Sequence, residues 1–201
     1  MKNKTAIIVF QKNEIKGQVK TRIAKTMGDT LALEIYRELV DLTYKAIEPV
    51  LADVILYFSD FLPEKVPIPT WSYRIQNGKD LGERMSRAFC ETFQLGYEKV
   101  IILGTDCPLV SAKILQESIQ KLEECQVVIG PAEDGGYYLL GMKSLHPELF
   151  VGINWSTSLV FQQTVQFTGQ LGLSYQFLAR LSDVDTEEDW QNYLLNKQKF
   201  L

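Results

Sequence analysis

Four aliphatic residues in a row, Val100-Ile101-Ile102-Leu103, end abruptly at Gly104-Thr105-Asp106-Cys107-Pro108. No polar residue interrupts the run, which therefore predicts a strand buried on both faces, the situation of a central strand in a parallel sheet. Pro108 blocks its continuation, and Ser111 can cap a helix carrying Ile114, Leu115, Ser118, Ile119 and Leu122 on one side. Asp106 then stands just past the carboxyl end of a central strand, in the crevice where open α/β sheets bind ligands. We read it as a metal and phosphate anchor.

Other stretches repeat the pattern. Ala6–Phe10 and Asp53–Phe58 predict two more buried strands, and Trp71–Gln76 alternates like a half-exposed edge strand. Between the first two lies a polar stretch, Gln11 to about Gly28, read as a functional loop without secondary structure. Asp29 can cap a following helix with Leu31, Ile35, Leu39, Leu42 and Ala46 in one stripe. Asn77-Gly78 marks a turn into a helix whose inner face is Leu81, Met85, Ala88, Phe89 and Thr92. Gln126–Gly130 predicts another strand, and the connection Ala132–Gly136 is too short for a crossover. The next strand, Tyr137–Met142, should therefore run antiparallel. A helix from about Ser158 to Leu171, a late strand Ser174–Leu178 and a final helix capped by Thr186 complete an α/β chain with a mostly parallel sheet.

At 201 residues the chain is read as one domain, 1–201. A net charge of -4, from 21 Lys+Arg against 25 Asp+Glu, excludes a general nucleic-acid binder, which needs a basic face. Three irregularly spaced cysteines suggest neither a disulfide framework nor a zinc site. The leading apolar run is too short for a signal segment or a membrane span, so a cytoplasmic location is expected.

Three groups could carry chemistry. Asp183 and Asp185, two apart in an extended segment, can point the same way and join Asp106 around a hard divalent cation, Mg²⁺ or Mn²⁺. Alternatively they only cap and solvate a helix start. Lys16, Lys20 and Arg22, beside Gly17, could clamp a pyrophosphate, with the arginine bidentate; a solvated lysine-rich loop is the other reading. Asp134-Gly135-Gly136 brings backbone close to a ligand, with Asp134 able to act as general base, or forms a tight hairpin. Trp155 could stack on a base or sugar, or fill the core.

Five segments, in order, resemble a known family: Gly17–Arg22, Gly104–Pro108, Gly130–Gly141, Trp155–Thr157 and Asp183–Thr186. They are similar to small bacterial GT-A-fold transferases, often labelled glycosyltransferases and linked in some members to arsenosugar biosynthesis. The resemblance runs from about Ala6 to Trp190. It implies a three-layer Rossmann-like GT-A (nucleotide-diphospho-sugar transferase) fold with one antiparallel strand, and a nucleotide-activated donor. By position it implies that Lys20 and Arg22 hold donor phosphates and that Gln76, Asp80 and Arg84 lie near the nucleotide. It likewise implies that Asp106 binds metal with Asp183 or Asp185, and that Asp134, Gly135, Gly136 and Trp155 face a small-molecule acceptor. Asn13 stands where a proline is usual, and Lys79 interrupts the usual Gly-Asp-Leu-Gly. Pro108 occupies the second acidic place of the Asp-x-Asp common in sugar transferases, a trait shared with guanylyl- and cytidylyltransferases. Two activities are therefore expected, glycosyl transfer first and nucleotidyl transfer second, with a non-catalytic nucleotide-binding module as a third reading.

Overall fold

The computed structural model describes residues 4–197. Its strands are β1 (Thr5–Gln11), β2 (Asp53–Phe58), β3 (Ser72–Ile75), β4 (Lys99–Leu103), β5 (Val127–Pro131), β6 (Tyr137–Met142) and β7 (Tyr175–Phe177). They form a seven-stranded sheet in the order β3-β2-β1-β4-β6-β5-β7. All pairings are parallel except those of β6, which runs antiparallel to both β4 and β5. The antiparallel strand expected from the short 132–136 connection is therefore present, and β3 is an edge strand as its alternation indicated.

The helices are α1 (Thr21–Met27), α2 (Asp29–Ile47), α3 (Leu81–Gln94), α4 (Ala112–Glu124), α5 (Val160–Gln170) and α6 (Glu187–Lys197), with a 3₁₀ turn at Pro147–Phe150. Successive residues of a strand point to opposite faces, so a sheet covered on both sides needs apolar residues at every position. Ile7, Val9, Ile101 and Leu103 pack on one side with Ala46 and Ile47 of α2 and Leu115 and Leu122 of α4. Ile8, Val100 and Ile102 pack on the other with Met85, Ala88 and Phe89 of α3 and with Phe150. This is the three-layer α/β arrangement expected.

Several local expectations are corrected. The polar stretch after β1 is not structureless: α1 turns Ile23 inward against Ala32, Ile35, Leu39, Val184 and Trp190, and Val19, just ahead of the helix, is buried against Tyr36 and Val40 of α2. The buried side of α2 is Ala32, Ile35, Tyr36, Leu39, Val40, Thr43, Ala46 and Ile47, which leaves Leu31 exposed. Gly28, at φ 82°, takes the cap position that Asp29 was expected to fill. Leu81 is exposed, and Gly82 lies on the inner face of α3 in its place. The unusual Asn13 has a structural task. Its Oδ1 accepts from the Asp60 N–H (2.9 Å) and its Nδ2 donates to the Phe61 carbonyl (2.9 Å), tying the loop after β1 to the loop after β2.

Candidate active site

β1 sends its connection toward β2 on one side and is flanked by β4 on the other, so the order reverses between β1 and β4. At such a switch point the loops leaving the two carboxyl ends splay apart and open a crevice. A cleft of about 720 Å³ lies there. Its walls include Lys20 and Arg22 from the β1 side, Asp106 after β4, Gln76 after β3, Asp134 and Gly136, Trp155, and Asp183 with Asp185. Residues far apart in sequence thus share one space.

Lys20 is the centre of that space. It precedes α1 with φ 46° and ψ 47°, a left-handed backbone that costs an L-residue roughly 1–2 kcal/mol. Its ammonium is nearly buried. It donates to the Val184 carbonyl (2.6 Å), pairs closely with Asp106 and lies 3.4 Å from Asp185. The Val184 N–H in turn donates to the Asp106 carbonyl at 2.9 Å, which stitches the strand-end loop to the 183–185 segment. Arg22, mostly exposed at the rim, reaches Asp185 at 3.5 Å.

Asp183 has the opposite circumstances. Its Oδ1 is buried and, among the described residues, has no hydrogen-bond partner. Burial foremost, then the charges of Asp106, Asp134 and Asp185, against the opposing pull of Lys20, push its carboxyl up to about 7. Burial, and next the Asp183 charge, also raise the Cys107 thiol, so that neighbour is a protonated wall and not a thiolate nucleophile. The Asp134 carboxylate accepts from the Gly136 N–H at 2.8 Å within an exposed turn.

Not every residue implied by the resemblance lines this cleft. Gln76 does, with its amide donating to the Tyr57 carbonyl at 3.1 Å. Asp80 instead caps α3, accepting from the Glu83 N–H at 2.8 Å, and Arg84 braces the preceding turn through the Gly78 carbonyl at 3.2 Å. Gly135 sits behind the wall. At φ 89° a Cβ there would come within 2.2 Å of the Ser158 carbonyl oxygen, so glycine lets the 132–136 turn lie against the loop that carries Trp155. Gly135→Ala should therefore cost about 2 kcal/mol of stability, read from urea unfolding, and shift Trp155 emission. An unchanged denaturation midpoint would show that the two loops do not depend on that contact.

One contributor has no motif to announce it. Tyr36, buried on α2, accepts from the Lys12 N–H (2.8 Å) and donates to the Lys12 carbonyl (3.1 Å), while the Thr105 hydroxyl donates to it at 3.3 Å. It clips together the loops after β1 and β4. The only sequence signal was an aromatic residue next to the apolar stripe of an amphipathic helix.

The family described as "Uncharacterized protein conserved in bacteria (DUF2064)" matches residues 46–157. No curated protein matches the chain in sequence. Among solved structures, a candidate nucleotide-diphospho-sugar transferase from Desulfovibrio desulfuricans is 32% identical with a TM-score of 0.89, covering 97% of this chain and 88% of that one. A CMP:2-keto-3-deoxy-manno-octonic acid synthetase complexed with CTP shares the fold at 11% identity and TM-score 0.60, covering 98% and 100%. So does Rv0371c from Mycobacterium tuberculosis in complex with manganese, at 12% identity and TM-score 0.53, covering 95% and 98%. Among the described residues, no helix is long and apolar enough to cross a membrane.

Proposed function

The chain belongs to the DUF2064 family, and from that premise we propose that it is a nucleotide-using transferase, moving a glycosyl group from a nucleotide-diphosphate sugar to a small-molecule acceptor. One observation carries this reading. A nearly buried ammonium, Lys20, is held in a strained backbone between Asp106 and Asp185, beside the orphaned Asp183 carboxylate, at the switch point of the sheet. A site with positive charge fixed in advance suits a leaving diphosphate, whose charge grows in the transition state.

The residues fit a divalent cation. Among the described residues no three acidic, thiol or imidazole groups are gathered into a complete metal site. Mg²⁺ and Mn²⁺, however, are commonly held by one or two carboxylates, with substrate phosphates and water filling the shell. Asp106 and Asp183 would supply those oxygens, the unpartnered Oδ1 of Asp183 being free for it, while Asp185 pairs with Lys20 and Arg22 beside them. The ion, when bound, adds positive charge at the diphosphate.

In the proposed reaction Lys20 and Arg22 orient the diphosphate, and Asp134 accepts the proton of the acceptor hydroxyl. The hydroxyl oxygen bonds to the sugar's anomeric carbon as the bond from that carbon to the phosphate oxygen breaks. A nucleoside diphosphate leaves with the electron pair. The 1–201 chain carries all these groups in one domain in this reading. Pro108, in the place of a second acidic residue after the central strand, favours a second reading, nucleotidyl transfer, in which a substrate phosphate attacks an NTP and pyrophosphate leaves.

A panel of nucleotide sugars and nucleoside triphosphates with Mn²⁺ separates the two. Nucleoside diphosphate release from a sugar nucleotide is the expected result; pyrophosphate release from an NTP establishes the second reading, and neither product overturns both. Arg22→Lys should weaken binding of the released nucleoside diphosphate about tenfold, because charge is kept while the planar fork is lost. Equal affinity by calorimetry would remove Arg22 from the phosphate clamp.

A further inference from the structure

Trp155 is half-buried and packs against α3 at Gly82. A Cβ on Gly82 would come within 2.3 Å of the indole nitrogen, so only glycine lets the ring sit this close to the helix. The side chain borders two spaces. On one side it faces the cleft with Lys20, and on the other it walls a second groove of about 330 Å³ between α3 and the 147–153 segment. Trp155 is the residue common to both walls.

The two spaces differ in chemistry. The main cleft carries Lys12, Lys20 and Arg22. The groove has an apolar floor, with Phe150 and Ile153 buried in it and Val151 71% exposed above. Its charged groups are already engaged at the rim. Glu83 pairs with Arg87 and accepts from the Lys79 N–H, and Asp80 caps the helix. Arg87 is the one cation that lines it, and its guanidinium is held by Glu83 on the next turn of α3.

We infer that this groove binds the uncharged, ring-sized apolar substituent of the acceptor, which extends past Trp155 from the reacting hydroxyl in the main cleft. The acceptor class is thus an aryl- or alkyl-substituted hydroxyl compound and not a second phosphorylated metabolite. This rests on the transferase reading above for the word acceptor, but the groove's preference for an apolar group does not. Aromatic faces stack well against an indole, and burying the exposed Val151 side chain adds a hydrophobic gain.

The probes are 4-nitrophenyl β-D-glucoside and methyl β-D-glucoside, which differ only in the substituent. Binding is followed on the Trp155 indole N–H resonance, assigned among the three tryptophans with Trp155→Phe. The aryl glucoside should bind at least about tenfold tighter than the methyl glucoside, a difference of about 1.4 kcal/mol. That advantage should disappear in Ser86→Trp, which fills the groove, and in Val151→Asp, which puts a charge at an exposed position that folding does not depend on. Equal affinities for the wild-type protein would overturn the proposal, as would an advantage that survives in both variants. Titration with nucleotide sugars and Mn²⁺ reads the main cleft separately. Failure there would remove the transferase reading and leave the groove result standing.

Discussion

Lys20→Met is expected to lower glycosyl transfer about a thousandfold or more while leaving a folded chain. Loss of one preorganised charge aimed at a developing anion typically costs about 10²–10³ in turnover. Here the effect should be at the upper end, because the same ammonium also offsets the repulsion among Asp106, Asp183 and Asp185. Without it those carboxylates face the donor diphosphate with no fixed cation between them. Folding should survive, since the Asp106 and Asp185 side chains are close to half exposed and can be solvated. Circular dichroism and a cooperative melt check that point. Lys20→Arg should not rescue activity. The ammonium sits 2.6 Å from a backbone carbonyl in a nearly closed space, and a guanidinium is too broad for it. Lys20→Gly gives an independent comparison. It removes the same charge and relieves the left-handed backbone, so it should be inactive without being the less stable of the two variants. A Lys20→Met protein retaining more than a tenth of wild-type turnover would reduce Lys20 to a structural ion pair.

The backbone of Lys20 also marks where sequence reading runs out. Val100–Leu103 reads as the central strand because its neighbours on both faces demand apolar side chains, and the brevity of Ala132–Gly136 dictates the direction of β6. Those features follow from local chemistry. The meeting of Asp106 with Asp183 and Asp185 was an inference from residue type, and the structure brings all three to one cleft. By contrast the polar residues of α1 hide its one buried position, Ile23, whose burial depends on Val184 and Trp190 arriving from the far end of the chain. Asp80 and Arg84 were assigned by position, yet they brace the start of α3. A carboxylate before a helix reads the same whether it binds a ligand or caps the helix, and only the direction of the side chain separates the two. Tyr36 was invisible for a related reason: its hydroxyl acts across loops that sequence does not place together.

Asp183→Asn should stabilise the metal-free protein by roughly 2–4 kcal/mol at pH 8, and by almost nothing near pH 4. The sign follows from the direction of the shift. The folded carboxyl, held at about 7 against an ordinary 3.8, binds its proton more tightly than the unfolded chain does. Stability from this group is therefore complete below the unfolded value, falls as pH rises from about 4 to about 7, and stays reduced above that. The full shift corresponds to about 4 kcal/mol, and water reaching the partly buried side chain lowers the figure. Asparagine keeps the shape and cannot ionise, so the penalty disappears and the two melting curves should separate only as the pH is raised. Millimolar Mn²⁺ should close the gap from the other side, raising the melting temperature of the wild-type protein at pH 8 and that of the variant much less, because a ligand of the native state stabilises in proportion to its affinity. A variant less stable than wild type at pH 8 would mean that the orphaned oxygen is satisfied in solution. A variant that is more stable and also inactive would mean that the chain keeps a destabilising buried charge for the sake of the ion and the diphosphate it receives.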